Sequence, residues 1–146
     1  MAQTKSETVM LALLAQLEGD AGLNGLDIRR NEVEAQNIPP TGLIVIRDGE
    51  FEEPEFLGTA WGQERNVEIS IQMQCGPKGD RDAQHDDLID KVSAAIEADP
   101  SLGGAVEAAT VFPPEEVESE RVHGDAGVKS AILPVVLEYV SLERRG

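Results

Sequence analysis

The residues best equipped for chemistry lie between 80 and 90, where His85, Asp86 and Asp87 are consecutive. Such a trio suits a metal site or an acid/base pair. On a helix, however, adjacent aspartates splay about 100° apart. Asp86 and Asp90 share a face, as do Asp82 and His85, but no further ligand is spaced to complete a coordination shell. A calcium loop would begin at Asp80 and Asp82, and Gln84 and His85 then break its pattern. The spacing therefore predicts a capped, solvated helix start. His123 sits beside Gly124 in an acidic stretch and reads as a solvated loop histidine. Ser119 and Ser130 lack the G-x-S-x-G surround of an activated nucleophile. Cys75 falls on the apolar side of an alternating segment and reads as a small buried hydrophobe. Gly76 to Gly79 lacks the G-K-[ST] ending of a phosphate loop. With two histidines and one cysteine, the inventory predicts no catalytic residue, no metal site and no cofactor.

The chain has 146 residues, with 28 Asp+Glu against 12 Lys+Arg, a formal charge of −16. That length fits one domain over 1–146. The acidity argues against gripping nucleic acid or an anionic membrane, since both need basic patches. Five aromatic residues also leave little for base stacking. One cysteine excludes an intrachain disulfide. No apolar run approaches the roughly 18–20 residues that span a bilayer. Val9 to Ala15 is flanked by Glu7, Glu18 and Asp20, so it reads as a helix face rather than a signal core, and the protein as intracellular.

The elements that must position these residues follow from patterning. Thr4 and Glu7 form a capping box, predicting that the Glu7 carboxylate returns to the Thr4 amide. Met10, Leu13, Leu14 and Leu17 recur at helical spacing, and Gly19 predicts a left-handed C-cap. Leu26 to Asn31 is a short strand or irregular. Leu43 to Ile46 suits a strand buried on both faces, or an edge sealed by a partner, and Asp48-Gly49 predicts the turn that ends it. Val67, Ile69, Ile71, Met73 and Cys75 alternate with Glu68, Ser70, Gln72 and Gln74, the strongest strand signal in the chain. Phe56 to Trp61 is expected to pair with it, antiparallel, through a turn at Gly62 and Gln63. Asp80 or Asp82 caps a second helix with a stripe of Leu88, Ile89, Val92, Ala95 and Ile96, ended by Pro100. Ala105 to Val111 and Val128 to Leu142 are expected strands, with Pro134 at an edge or bulge. The order predicts an α+β fold, a mostly antiparallel sheet with two helices packed on one face.

Two acidic excursions interrupt this pattern, Asp48 to Phe56 and Pro113 to Asp125. Leu43 and Val45 are candidate interface residues, as a strand that a neighbour could seal, and so is Trp61, because tryptophan is enriched at interface hot spots.

The succession LALLAQL, IPPTGLIVI, ERNVEISIQMQCG, H-D-D-L-I-D-K-V-x-x-A-I and AILPVVLEYVS resembles the tail terminator (tail-completion) proteins of long-tailed bacteriophages and phage-tail-like particles. The resemblance covers nearly the whole chain and rests on element order and on the segment Val67 to Ile96. The alanine-rich stretch after the second helix departs from it. It implies an α/β sandwich whose subunits form a ring, typically a hexamer, at the tail–neck junction of a virion assembled in the host cytoplasm. Such a ring caps the tail tube, stops its growth and docks the head–neck connector. The partners implied are further copies of the chain, a tail tube protein and a connector, with DNA passing through the lumen and no membrane. The excursions would be docking surfaces, with Asp48, Glu50, Phe51, Glu53, Phe56, Glu115, Glu116, Glu118 and His123 as interface candidates, and carboxylates on the lumen wall would repel DNA. Other readings are a neighbouring neck protein of the same fold, an acidic DNA-mimic inhibitor, and a small hydrolase or metal-dependent enzyme around His85, Asp86 and Asp90.

Overall fold

The structure is a computed structural model and describes residues 4–31, 42–74, 80–117 and 128–146. Its elements in chain order are helix α1 (Lys5–Glu18), strands β1 (Asp27–Arg30), β2 (Leu43–Phe51), β3 (Glu55–Phe56) and β4 (Trp61–Gln74), helix α2 (Asp80–Glu97), and strands β5 (Ala108–Val111), β6 (Glu115–Val117) and β7 (Val128–Ser141). The sheet order is β1-β2-β4-β7-β5, with β3 beside β4 and β6 beside β7. β1 and β2 run parallel; the other pairings are antiparallel. This is the expected α+β arrangement, with one parallel pair added. Because β3 continues beyond β2 along β4, and β6 beyond β5 along β7, both acidic excursions begin as strands rather than as loops.

The alternation over Val67 to Met73 does what period two requires. Val67, Ile69, Ile71 and Met73 are buried on one face, opposite Val135, Leu133, Ala131 and, further along, Leu137 and Tyr139 of β7. Both helices pack on that face. Val9, Met10, Leu13 and Leu17 of α1 and Leu88, Val92, Ala95 and Ile96 of α2 meet the strands in one core. Each fully buried Leu, Ile or Val there contributes about 1.5–3 kcal/mol. The Gln16 amide of α1 donates to the Ala95, Ile96 and Asp99 carbonyls at 2.8, 3.2 and 3.1 Å. It thereby satisfies the C-terminal carbonyls of α2, whose last turn has no basic residue, and locks the helices together.

Several local expectations are corrected. Thr4 does cap α1, its hydroxyl accepting from the Glu7 amide at 3.2 Å. The Glu7 carboxylate, however, is taken by Arg30 instead of returning to Thr4. Gly19 ends the helix at φ −85°, ψ −6°, not left-handed. Asp48-Gly49 does not end its strand, because β2 continues to Phe51 through a bulge in which Gly49 and Glu50 oppose the single residue Asn66. Gly62 and Gln63 belong to β4. The hairpin turn lies at Leu57 to Ala60, closed by the Leu57 amide on the Ala60 carbonyl at 2.8 Å. Of the two readings of Leu43 to Ile46, the strand buried on both faces holds, and β1 pairs along it.

Pro134 lies inside the sheet, between β4 and the β5–β6 lane, and not at an edge. Its carbonyl accepts from the Phe112 amide at 2.9 Å. In an antiparallel strand the N–H and C=O of one residue face the same side. The donor that proline lacks therefore points at the break between β5 and β6, where Pro113 and Pro114 interrupt the lane.

The bulge generates a prediction. A Cβ on Gly49 would lie 1.7 Å from the Asn66 carbonyl oxygen, so the residue must be glycine for the strands to approach. Gly49→Ala is expected to destabilise by about 2–3 kcal/mol, read as a lower urea midpoint with an unchanged m value.

Candidate interaction surface

The region between 80 and 90 does not assemble a reactive site. His85 is 1% exposed, and its Nε2 donates to the Ile71 carbonyl at 2.8 Å. The expected solvated helix start is thus correct for Asp86, Asp87 and Asp90, which are exposed, and wrong for His85. The signal was present: 85, 88, 92 and 96 form one helical stripe, and His85 extends the Leu88–Val92–Ile96 row by one turn. Asp87 pairs outward with Lys91 at 3.1 Å. Among the described residues, no group of three His, Cys, Asp or Glu could hold a metal ion. Cys75, Gly76 to Gly79, Ser119, Glu118 and His123 lie outside the described residues, as do the side chains of Asp80, Asp82 and Glu116. Ser130 is half-buried on the face away from the helices.

A charged cluster that sequence reasoning missed sits on the helix face beyond the start of α1. Arg30, at the end of β1, donates to both Glu7 oxygens at 2.8 and 2.9 Å. It also donates to both Asp48 oxygens, at 3.0 and 2.6 Å. Arg65 of β4 reaches Asp48 at 3.3 Å and lies 4.5 Å over the Phe51 ring. The register explains the meeting, because Arg30, Ile46, Asp48 and Arg65 share the parity of the core-facing row. Hydrogen bonding from Arg30 holds the Glu7 carboxyl below its ordinary pKa. Burial pushes Asp48 upward, yet Arg30 and Asn31 outweigh it and the net direction is down. The Arg30 guanidinium is held charged by the Glu7 and Asp48 bonds. Asp48, one of the candidate interface residues, is thus committed inside the chain. Leu43 and Val45 are likewise buried, on the face away from the helices.

The remaining candidates gather at the end of the sheet. Glu50, Glu53 and Glu115 are exposed, and Phe51 is partly covered by Arg65. Phe56 and Trp61 face each other across the β3–β4 hairpin with ring centroids 5.0 Å apart. Arg144, from the segment after β7, stands 5.6 Å from the Trp61 ring. Gln63 fixes that segment by donating to the Glu143 and Arg144 carbonyls at 3.3 and 2.9 Å. Phe56 is 59% exposed, Leu57 at the turn 52%, and Leu142, just past the end of β7, 85%. On the helix-free side of the hairpin lies an open depression of about 360 Å³, lined by Leu57, Val140 and the carboxylates Glu53, Glu55, Glu64, Glu107 and Glu138. The arrangement offers contact surface and charge. Among the described residues, no helix is long and apolar enough to cross a membrane.

Two predictions follow from these placements. His85→Ala is expected to cost about 2–3 kcal/mol through a cavity and a lost buried hydrogen bond. Asp86→Ala, on the exposed side, should change stability by less than about 0.5 kcal/mol, both read by urea denaturation. Arg30→Met should cost on the order of 2 kcal/mol at neutral pH. Glu7 and Asp48 have depressed folded-state pKa values, so their contribution is full above the ordinary carboxylate range and is lost as pH falls through the folded values. The stability gap between wild type and Arg30→Met should therefore close in acid.

No protein-family profile matches the chain, and no curated protein sequence matches it. Among solved structures, the chain is similar to a chain of the virion of a native gene transfer agent particle. The identity is 14% and the TM-score 0.38, with 94% of this chain and 99% of that chain covered.

Proposed function

We propose that the chain is a structural virion protein, a ring-forming tail terminator that works by assembly and docking and not by catalysis. The observation that carries the reading is the one-sided sandwich. A helix, a strand region, the long strand β4, a second helix and the long strand β7 follow in the order on which the sequence resemblance rests, and both helices cover one face of the sheet. In this reading the copies close head to tail, as a hexamer, around a lumen. One end of the ring caps the tail tube and the other receives the connector, at the tail–neck junction of a particle built in the host cytoplasm. The exposed residues Glu50, Phe51, Glu53, Phe56 and Glu115, with half-buried Trp61 beside Phe56, are the docking set. Carboxylates on the lumen wall would keep DNA sliding rather than bound. No metal or cofactor enters the role.

A chain of −16 repels its own copies, and salt screens that repulsion. Light scattering should therefore find the 15.7 kDa chain moving toward a ring of about six copies as salt rises or as tail tubes are added. A monomer at every salt concentration that also ignores tube ends sinks the proposal.

A further inference from the structure

We infer that the β3–β4 hairpin and the adjoining end of β7 form a docking surface for a different protein, one that presents apolar side chains among lysines or arginines. The apolar part is on both sides of the hairpin. Phe56 and Trp61 lie toward one side and Leu57 toward the other. Exposed large apolar groups this close together are the usual mark of a contact site.

The charge around them selects the partner. Glu53, Glu55, Glu64, Glu107 and Glu138 border the same depression, and none of the five side chains has an ion pair among the described residues. Glu64 and Glu138 stand directly opposite each other across β4 and β7, a like-charge pair that costs stability in the free chain. A second copy is a poor occupant, because the described cations are mostly engaged at home. Arg30 and Arg65 hold Glu7 and Asp48, Arg29 holds Asp27, Lys91 holds Asp87 and Arg145 holds Glu143. A metal ion is equally poor, since no three-ligand group exists among the described residues. A partner with its own cations relieves the repulsion and covers the apolar groups at once.

The inference rests on the assembly reading and deepens it by giving the docking partner's chemistry. Trp61 is the chain's single tryptophan and sits in the surface, so its fluorescence reports occupancy there. The full chain is titrated at low salt with a short peptide of alternating lysine and leucine, with an alternating glutamate–leucine peptide as comparison. The lysine peptide should shift Trp61 emission saturably. A Glu55→Gln/Glu64→Gln/Glu138→Gln variant should bind it at least about tenfold more weakly while unfolding at higher urea. A Glu18→Gln/Asp86→Asn/Glu97→Gln variant, with the same charge change on the helices' exposed sides, should bind nearly as wild type. Equal weakening in both variants, no Trp61 response, or equal binding of the glutamate peptide overturns the inference. So does a second copy occupying the surface, seen as a mass change between wild type and the first variant in light scattering. Rings without peptide binding fail this inference alone; peptide binding without rings fails the assembly reading alone.

Discussion

The unbroken ladder between β4 and β7 is the constraint on which the other elements depend. It runs for fourteen pairs, from Trp61 opposite Ser141 to Gln74 opposite Val128. With a side-chain period of two, this register sends Val67, Ile69, Ile71, Leu133, Val135, Leu137 and Tyr139 to one face. A slip of β7 by one residue would turn Glu138 inward and Leu137 outward, so the hydrophobic pattern enforces the register. Everything else is fitted to that face. α2 is anchored to it by His85 on the Ile71 carbonyl, and α1 is anchored to α2 by Gln16. β2 adds Ile44 and Ile46 to the same row, and its Asp48 places a carboxylate where that row runs out of helix to cover it. Arg30 and Arg65 answer that carboxylate, so the ionic cluster is a consequence of the register.

The same economy explains the surface. With 12 cations against 28 carboxylates, every internal pairing leaves more anion outside. Arg65 and Arg30, with side chains 10% and 19% exposed, are spent on Glu7 and Asp48 behind α1. What remains at the hairpin end is carboxylate beside apolar residues, with Arg144 resting near Trp61. The net charge therefore does two separate things: it stabilises where the register forces it inward against arginine, and it goes uncompensated where the sheet ends.

Periodic features were legible in the sequence. The alternation of Val67 to Met73, the stripes of both helices and the Thr4 cap all stand where their spacing put them, and β2 is buried on both faces as its β-branched run suggests. What failed were punctuation signals read locally. Asp48-Gly49 looks like a turn, but the glycine is needed because the Asn66 carbonyl comes too close for a side chain. Pro134 looks like an edge residue, yet a proline is tolerated inside a sheet when its missing donor faces a break in the next strand. Glu7 looks like a capping-box acid, and a long-range arginine outcompetes the local amide. His85 was read with its acidic neighbours when its spacing belonged to Leu88, Val92 and Ile96. The proposed docking surface was only half visible. Glu53, Phe56 and Trp61 stood out by type, whereas Glu64, Glu107 and Glu138 come from three distant segments that only the strand register brings together.

The sheet edges decide what kind of contact this chain can make with its neighbours. The apolar part of β2, Leu43 to Ile46, is flanked by β1 and β4, so it offers no backbone to a partner. One outer strand, β1, has only four residues. The other outer lane is broken by Pro113 and Pro114, and the Ala109 amide at its outer side is already given to the Pro100 carbonyl at 2.8 Å. Short strands and prolines at an edge discourage strand addition. Among the described residues no long free edge is offered, so a ring of such subunits, as proposed, would close there mainly through side chains. Side-chain contacts between strongly acidic copies are sensitive to ionic strength in a way that backbone ladders are not. Assembly would then be weak in solution and strengthened on a surface that supplies counter-charge, which confines ring closure to the place where a partner is already present.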